Sequence, residues 1–327
     1  MRIHELQTPV LAVDADVLEY NLSAMARALP GLRLRPHVKA HKCTALAVRQ
    51  AAHGHTTFTC ATISEMEGLA RAGLGSDLLL ANEVLDASRL GAIDGRVSVA
   101  VDSEATIRAA AVGGVREVLI DVNVGLPRCG CEPTRAGRLA DAARRHGLEV
   151  RGVMGYEGHA MLVESREARE AAVAASMELL RVAHADVGGE VISAGGTGSY
   201  DCNTFASEIQ AGSYALMDTA YTKLDLPFRP ALFLVARVIS VSREYAVADC
   251  GLKALGMDHG NPTVDGGSVW FCSDEHLTFA PHETLAVGDR VRVWPAHVDP
   301  TVAYHERIRV VSGEDVVDSW PVDLRGW

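Results

Sequence analysis

The chain has 327 residues, 48% of them apolar and 22% charged, which suits a soluble globular protein of one large domain or two ordinary ones with a sizeable core. Its net charge of −11, with no long run of like charge, argues against nucleic acid as the main partner. The start, Met1-Arg2-Ile3-His4-Glu5-Leu6, lacks the apolar stretch of a signal peptide, and no run reaches the roughly 18 apolar residues of a membrane span, so a cytoplasmic protein with no membrane partner is expected.

Over the first two-thirds, short apolar runs alternate with longer amphipathic stretches. Strands are predicted at 10–13, 32–38, 56–61, 77–81, 97–101, 117–122, 149–154, 191–193 and near 208–217. Helices are predicted between them at 16–29, 45–52, 64–72, 103–112, 134–146 and 165–184. Ser64 stands three residues before Glu67, the spacing of a capping box, and several helices run into a glycine such as Gly73, Gly113 or Gly147. About eight strand–helix units in series favour a closed (β/α)8 TIM-type barrel over an open doubly wound sheet. The first strand–helix turn also lacks the G-x-G-x-x-G of an open dinucleotide-binding sheet.

After about Pro227 the texture changes. Segments 231–242, 245–249, 268–272, 290–294, 306–311 and 316–320 are β-rich, and turns such as Asn261-Pro262 and Asp265-Gly266-Gly267 separate them. The expected organisation is an α/β barrel over 10–226 and a smaller all-β domain over 227–327, which residues 1–9 join. The seven cysteines are odd in number and not spaced as a disulfide scaffold, and Cys129-x-Cys131 is too tight for the usual paired zinc ligands, so free thiols are expected.

Leu34-Arg35-Pro36-His37-Val38-Lys39-Ala40-His41-Lys42 ends an apolar run in a cluster of basic residues. A lysine at the C-terminal end of a barrel strand can sit partly desolvated. There its pKa falls and its amine becomes a nucleophile toward an aldehyde. Lys39 is therefore a candidate for a Schiff base with pyridoxal phosphate (PLP); the plainer alternative is a basic strand-to-helix loop.

Late in the barrel series, Gly195-Gly196-Thr197-Gly198-Ser199 offers backbone N–H groups and hydroxyls to a phosphate, and Gln210-Ala211-Gly212-Ser213 at the next strand can complete the cup. Arg128, in the glycine- and proline-rich loop after 117–122, is placed to hold a phenolate or carboxylate. In Tyr156-Glu157-Gly158-His159, Tyr156 can brace a ring, and His159 is a candidate acid or base. In Pro295-Ala296-His297-Val298-Asp299, residues two apart on an extended segment face the same way, so His297 and Asp299 are a candidate metal pair with room left for water and substrate.

Taken together, these stretches resemble the fold-type III PLP enzymes, the alanine racemase-like group, and within it the D-threonine aldolase and D-serine dehydratase branch. The matching stretches are Thr8-Pro9 with Asp14, then 35–42, 121–130, 156–159, 195–200, 208–218, 248–253, 273–276 and 295–301, from one end of the chain to the other. The resemblance implies a PLP barrel followed by a β domain, with Lys39 as the Schiff-base lysine. It implies that Thr197, Gly198, Ser199, Gly212 and Ser213 bind the phosphate, that Arg128 lies near the cofactor's O3′ and that Tyr156 packs on the cofactor. Gln210 would face the pyridine nitrogen as a neutral partner that does not enforce a protonated ring. His297 and Asp299 would hold a divalent metal, and relatives are usually homodimers.

D-serine dehydratases of this branch resemble His-x-Cys at the metal pair, with zinc. The carboxylate of Asp299 is harder and suits Mn²⁺ or Mg²⁺ better, with Zn²⁺ or Co²⁺ possible. The expected activity is thus that of a lyase: metal-assisted retro-aldol cleavage of a D-β-hydroxy-α-amino acid to glycine and an aldehyde, with His159 as a candidate base. The alternatives are a dehydratase acting on the same class of substrate to give a 2-oxo acid and ammonia, an amino-acid racemase, and a non-catalytic PLP-binding protein.

Overall fold

The structure, a computed structural model, describes residues 1–327. Its contacts divide the chain into two compact units: Met25–Lys39 with Leu46–Gly212 and Gly326–Trp327, and Met1–Ala24 with Ala40–Ala45 and Ser213–Arg325. The elements run β1 (Val10–Asp14), α1 (Ala15–Ala28), α2 (Thr44–Ala52), β2 (Phe58–Cys60), α3 (Ile63–Arg71), β3 (Leu78–Leu80), β4 (Val97–Val101), α4 (Glu104–Val112), β5 (Glu117–Asp121), α5 (Ala136–Arg145), β6 (Glu149–Gly155), α6 (Arg166–Val187), β7 (Val191–Ala194) and β8 (Glu208–Ile209). They continue with β9 (Leu232–Val241), β10 (Ala246–Ala248), β11 (Thr263–Val264), β12 (Gly267–Cys272), β13 (Leu277–Pro281), β14 (Arg290–Trp294), α7 (Val298–Tyr304), β15 (Arg307–Ser312) and β16 (Asp315–Pro321).

In the unit centred on 46–212, β2 to β8 form a parallel sheet in chain order. The extended segment 34–37 closes it. Leu34 bridges Ile209 of β8, and His37 bridges Thr59 of β2, both in parallel. The closing hydrogen bonds run from Arg35 N to Ile209 O (2.9 Å) and from Thr59 N to Pro36 O (2.9 Å). This is the expected eight-membered barrel. Its first member pairs by single bridges, and on the β2 side Pro36 has no N–H to extend the pairing. β2 and β3 are buried at every residue, which is why they read as continuous apolar runs rather than alternating ones. The helical cap of α3 differs from the expected one. Thr62 caps with Glu65, while Ser64 and Glu67 lie inside the helix and both bond Arg89. The two pairs share the same spacing, and only Glu65 is also placed to accept the Ala61 N–H (2.6 Å) from a buried position.

The strand starts of this unit carry a buried charge network. Arg35, 2% exposed, donates through Nε to Glu208 (2.8 Å) and through Nη1 to Asp77 (3.0 Å). Arg151 bonds the same Asp77 oxygen (3.0 Å), and its Nε reaches Glu190 at 3.1 Å. Burial opposes the charge on Arg35, yet Glu208 and Asp77 hold its pKa above the ordinary value.

The other unit holds a nine-stranded sheet, β10-β13-β12-β11-β14-β9-β1-β15-β16. β9 also pairs with β10, so β9 to β14 close into a small antiparallel barrel. The 10–13 segment, expected in the PLP barrel, belongs here as β1. It runs antiparallel to β9 and parallel to β15, and its Ala12 joins Ile3, Leu6, Phe233, Val235 and Val311 in one apolar cluster. A short run of apolar residues fits either sheet, so only long-range pairing decides. α7 is a helix in a region expected to be all β. All seven cysteines are free thiols, and no helix is long and apolar enough to cross a membrane.

Replacing Arg35 with alanine leaves the buried Glu208 without its cation, while Asp77 keeps Arg151, and is expected to destabilise the protein by ~3–5 kcal/mol. Chemical denaturation of the variant beside the wild type, read by circular dichroism, measures it.

Candidate active site

Lys39 sits at the C-terminal end of the closing segment 34–37, in a single 3-10 turn (Val38–Ala40), and is half-buried. The extended segment that ends there is set by its bridges to β8 and β2, so the lysine has a fixed place at the C-terminal ends of the barrel strands. Active sites of such barrels lie on that face.

The loop after β7 is built around a buried carboxylate that sequence reasoning passed over. Glu157, fully buried, follows β6. Its Oε2 accepts the N–H of Gly195 (3.1 Å), and its Oε1 accepts the Ser199 hydroxyl (2.9 Å) and the Asn203 amide (2.9 Å). Ser199 Oγ also accepts the Gly196 N–H at 3.2 Å. Ser199 was expected to hold phosphate; its hydroxyl donates to Glu157 and accepts from Gly196, so it also braces the turn from within. Gly195 has φ +83°, and a Cβ on Gly198 would stand 2.1 Å from the Met161 carbonyl oxygen, so both positions require glycine. A tight turn that brings backbone this close fits a phosphate cradle. Gly212 is buried after β8, and Ser213 opens the 3-10 turn Ser213–Ala215.

The structure brings together the loops after β5, β6 and β7. The Arg128 guanidinium lies 5.3 Å from the centre of the Tyr156 ring. A Cβ on Gly196 would stand 3.4 Å from that ring, and one on Gly125, in the Arg128 loop, would stand 2.9 Å from the His159 ring. Arg128 and His159 are exposed, and Tyr156 is half-buried. An aromatic face, a cation and an imidazole thus share one end of the barrel. Asp121 at the end of β5 is buried there too; burial, with the Glu83 carboxylate beside it, holds its carboxyl well above the usual carboxylate range. Gln210 follows β8 and donates its amide nitrogen to Ser193 Oγ at 2.8 Å.

In the unit carrying the small β-barrel, His297 and Asp299 do meet, though not on an extended segment as expected. His297 is extended and immediately precedes α7, and Asp299 lies in the first helical turn. His297 Nε2 and Asp299 Oδ1 stand 3.8 Å apart, with side chains only 19% and 14% exposed. Donors about 2.1 Å from a shared ion can stand up to about 4 Å apart, so the pair fits a divalent cation. The other ring nitrogen, Nδ1, lies 2.7 Å from Asp258 Oδ2, and the His259 ring stacks on His297 at 3.9 Å.

Asp258, His259 and His297 also present ligand atoms within 4.8 Å of one another. The 2.7 Å contact on Nδ1 is hydrogen-bond length, however, and Asp258 and His259 are exposed. The Asp258 carboxylate on Nδ1 orients the imidazole so that Nε2 faces Asp299, as a carboxylate behind a metal-binding histidine does. Thr301 Oγ1 bonds the His297 carbonyl (2.7 Å), and Asp218 Oδ2 accepts the Val298 N–H (3.2 Å), so the turn is held from both sides. Burial raises the Asp218 carboxyl to about 7. Sequence spacing gave no sign of Asp218 or Asp258, which reach the turn from 80 and 39 residues away.

Residues 13–218 match the family described as alanine racemase, N-terminal domain, and residues 231–311 match a serine dehydratase domain. The chain is 34% identical to a 3-hydroxy-D-aspartate aldolase of Paracoccus denitrificans (strain Pd 1222), over 98% of this chain and 93% of that one. It is 33% identical to a D-threonine aldolase of Arthrobacter sp, over the same shares. Its fold superposes on the crystal structure of D-threonine aldolase from Filomicrobium marinum with a TM-score of 0.94 and 33% identity, covering 100% of this chain and 98% of the other. With the lysine, glycine-lined cradle and His–Asp pair in place, the chain belongs to the fold-type III, alanine racemase-like family, in the branch of the D-threonine aldolases and D-serine dehydratases.

Proposed function

We propose that this protein is a PLP- and divalent-metal-dependent aldehyde-lyase that cleaves D-β-hydroxy-α-amino acids of the D-threonine kind to glycine and an aldehyde. The observation that carries this reading is the His297 Nε2–Asp299 Oδ1 pair, 3.8 Å apart. An imidazole and a carboxylate make a donor set for a Lewis acid, and Mn²⁺ or Mg²⁺ suits the carboxylate best. When bound, PLP takes up the electron pair of the breaking Cα–Cβ bond, and the metal makes the β-hydroxyl more acidic.

The chain's own residues divide the remaining work. Lys39 is the amine that anchors the cofactor. Thr197, Gly198, Gly212 and Ser213 bind its phosphate, and Glu157 and Ser199 hold the first of these loops in shape. Tyr156 and Arg128, which pack on each other, would flank the cofactor, Arg128 on the side of its phenolate, and Gln210 would serve its ring nitrogen. His159 takes the proton of the β-hydroxyl. Cleavage of Cα–Cβ would release the aldehyde, and the proton lost from the β-hydroxyl would be matched by one gained at Cα, giving glycine. The reading extends to a homodimer working in the cytoplasm on a free D-amino acid.

With PLP and Mn²⁺, D-threonine or D-allo-threonine should yield glycine and acetaldehyde in product analysis; 2-oxobutyrate and ammonia instead would make the protein a dehydratase. Chelation with EDTA should abolish turnover, and added Mn²⁺ should restore it. Asp299→Ala should lose all metal-dependent turnover yet keep the visible absorbance of lysine-bound PLP, and a variant that lost that absorbance would contradict the division of roles. Glu157→Ala leaves three donors of the phosphate loop without their acceptor, and dialysis followed by absorbance should find PLP retention reduced by at least about tenfold, the worth of one lost hydrogen bond to a charged group.

A further inference from the structure

A chain of hydrogen bonds links the floor of the barrel to Gln210. Arg35 Nε donates to Glu208 Oε1 at 2.8 Å, and Ser193 Oγ donates to the same oxygen at 2.6 Å. Gln210 Nε2 in turn donates to Ser193 Oγ at 2.8 Å. Arg35, Ser193 and Glu208 are 2%, 0% and 6% exposed.

The direction of each bond follows from chemistry. A guanidinium only donates, so Glu208 Oε1 accepts. A serine hydroxyl has one proton, and here it goes to Glu208. Toward Gln210 the hydroxyl can then only accept, and only the nitrogen end of the amide can satisfy it. Turning the amide over would set its oxygen against the Ser193 oxygen with no proton between them, inside the barrel, where an unmade hydrogen bond is costly.

We propose that Arg35, Glu208 and Ser193 form a positioning relay that fixes the Gln210 amide with its nitrogen toward Ser193, leaving the amide oxygen to accept from the ligand. The proposal rests on the reading above, in which Gln210 meets the ring nitrogen of PLP. A neutral glutamine free to turn has no preference between the protonated and the unprotonated ring. A glutamine locked as an acceptor favours the protonated nitrogen, because a hydrogen bond to the charged form stabilises that form. The relay therefore gives glutamine a polarity that the residue type alone lacks. None of its three inner members touches the ligand; their effect passes through Gln210.

The test uses the full chain loaded with PLP carrying ¹⁵N at the ring nitrogen, in wild type, Ser193→Ala and Gln210→Ala. Two signals are read by NMR: the ring ¹⁵N shift as a function of pH, and hydrogen exchange of the Gln210 side-chain amide. The wild type is expected to show a protonated ring nitrogen at neutral pH and a protected Gln210 amide. Ser193→Ala should speed that exchange at least about tenfold and lower the protonation midpoint of the ring by about one pH unit, the worth of one hydrogen bond. An unprotonated ring in the wild type, or a Ser193→Ala protein unchanged in both signals, overturns the relay. If Ser193→Ala frees the amide while Gln210→Ala leaves the ring shift untouched, the relay exists but Gln210 does not meet the ring, and the assignment to the cofactor falls. Should Ser193→Ala fold poorly, Ser193→Cys, a weaker acceptor of similar size, is expected to move both signals the same way by a smaller amount.

Discussion

The barrel depends on two arginines placed where strands begin. Arg35 and Arg151 share one oxygen of Asp77 and extend from it to Glu208 and Glu190. Both cations lie where water hardly reaches them, so each needs its carboxylates, and the buried Glu208 needs Arg35 in turn. Strands β3, β6 and β8 and the segment 34–37 are tied together through these contacts, although they are far apart in sequence. A charge network of this kind favours one register of the closed sheet, since a slip would part the buried Arg35 from Glu208.

From that floor the same logic rises to the other end of the strands. Glu208 serves Arg35 below and Ser193 above through a single oxygen. Glu157 repeats the device in the loops: one buried carboxylate gathers two donors of the 195–199 turn and the Asn203 amide. Glycines allow the close approaches that these anchors demand, most plainly at Gly198 against Met161. The 195–199 turn is therefore held in one shape by its own contacts, and a ligand bound there would be spared the entropy of ordering a loop.

In the unit of the small β-barrel the fold brings an imidazole and a carboxylate, two residues apart in sequence, to face each other. Extended backbone at His297 and a helical turn at Asp299 bring one nitrogen and one oxygen to 3.8 Å. Asp258 on the far nitrogen sets which face of the imidazole is presented, and Asp218 and Thr301 pin the turn. Buried polar contacts again come from distant parts of the chain.

Much of this was legible from the residues. Eight barrel members, the texture change near Pro227, Lys39 after a strand, the glycine loop after 191–194, and the pair His297 and Asp299 all follow from local patterning, because period, glycine content and residue chemistry are local properties. What the tertiary structure decided were the choices between local equals. The segment 10–14 pairs with β9 and β15 rather than with the barrel, because a short apolar strand fits either sheet until its partners are known. Thr62 caps α3 instead of Ser64, because only Glu65 is buried beneath it. Ser199 braces its own loop, and Gln210 acquires a direction, because the groups that claim them, Glu157 and Ser193, lie 42 and 17 residues away. A sequence states which groups can donate or accept, but only the folded chain states which partner has already been taken.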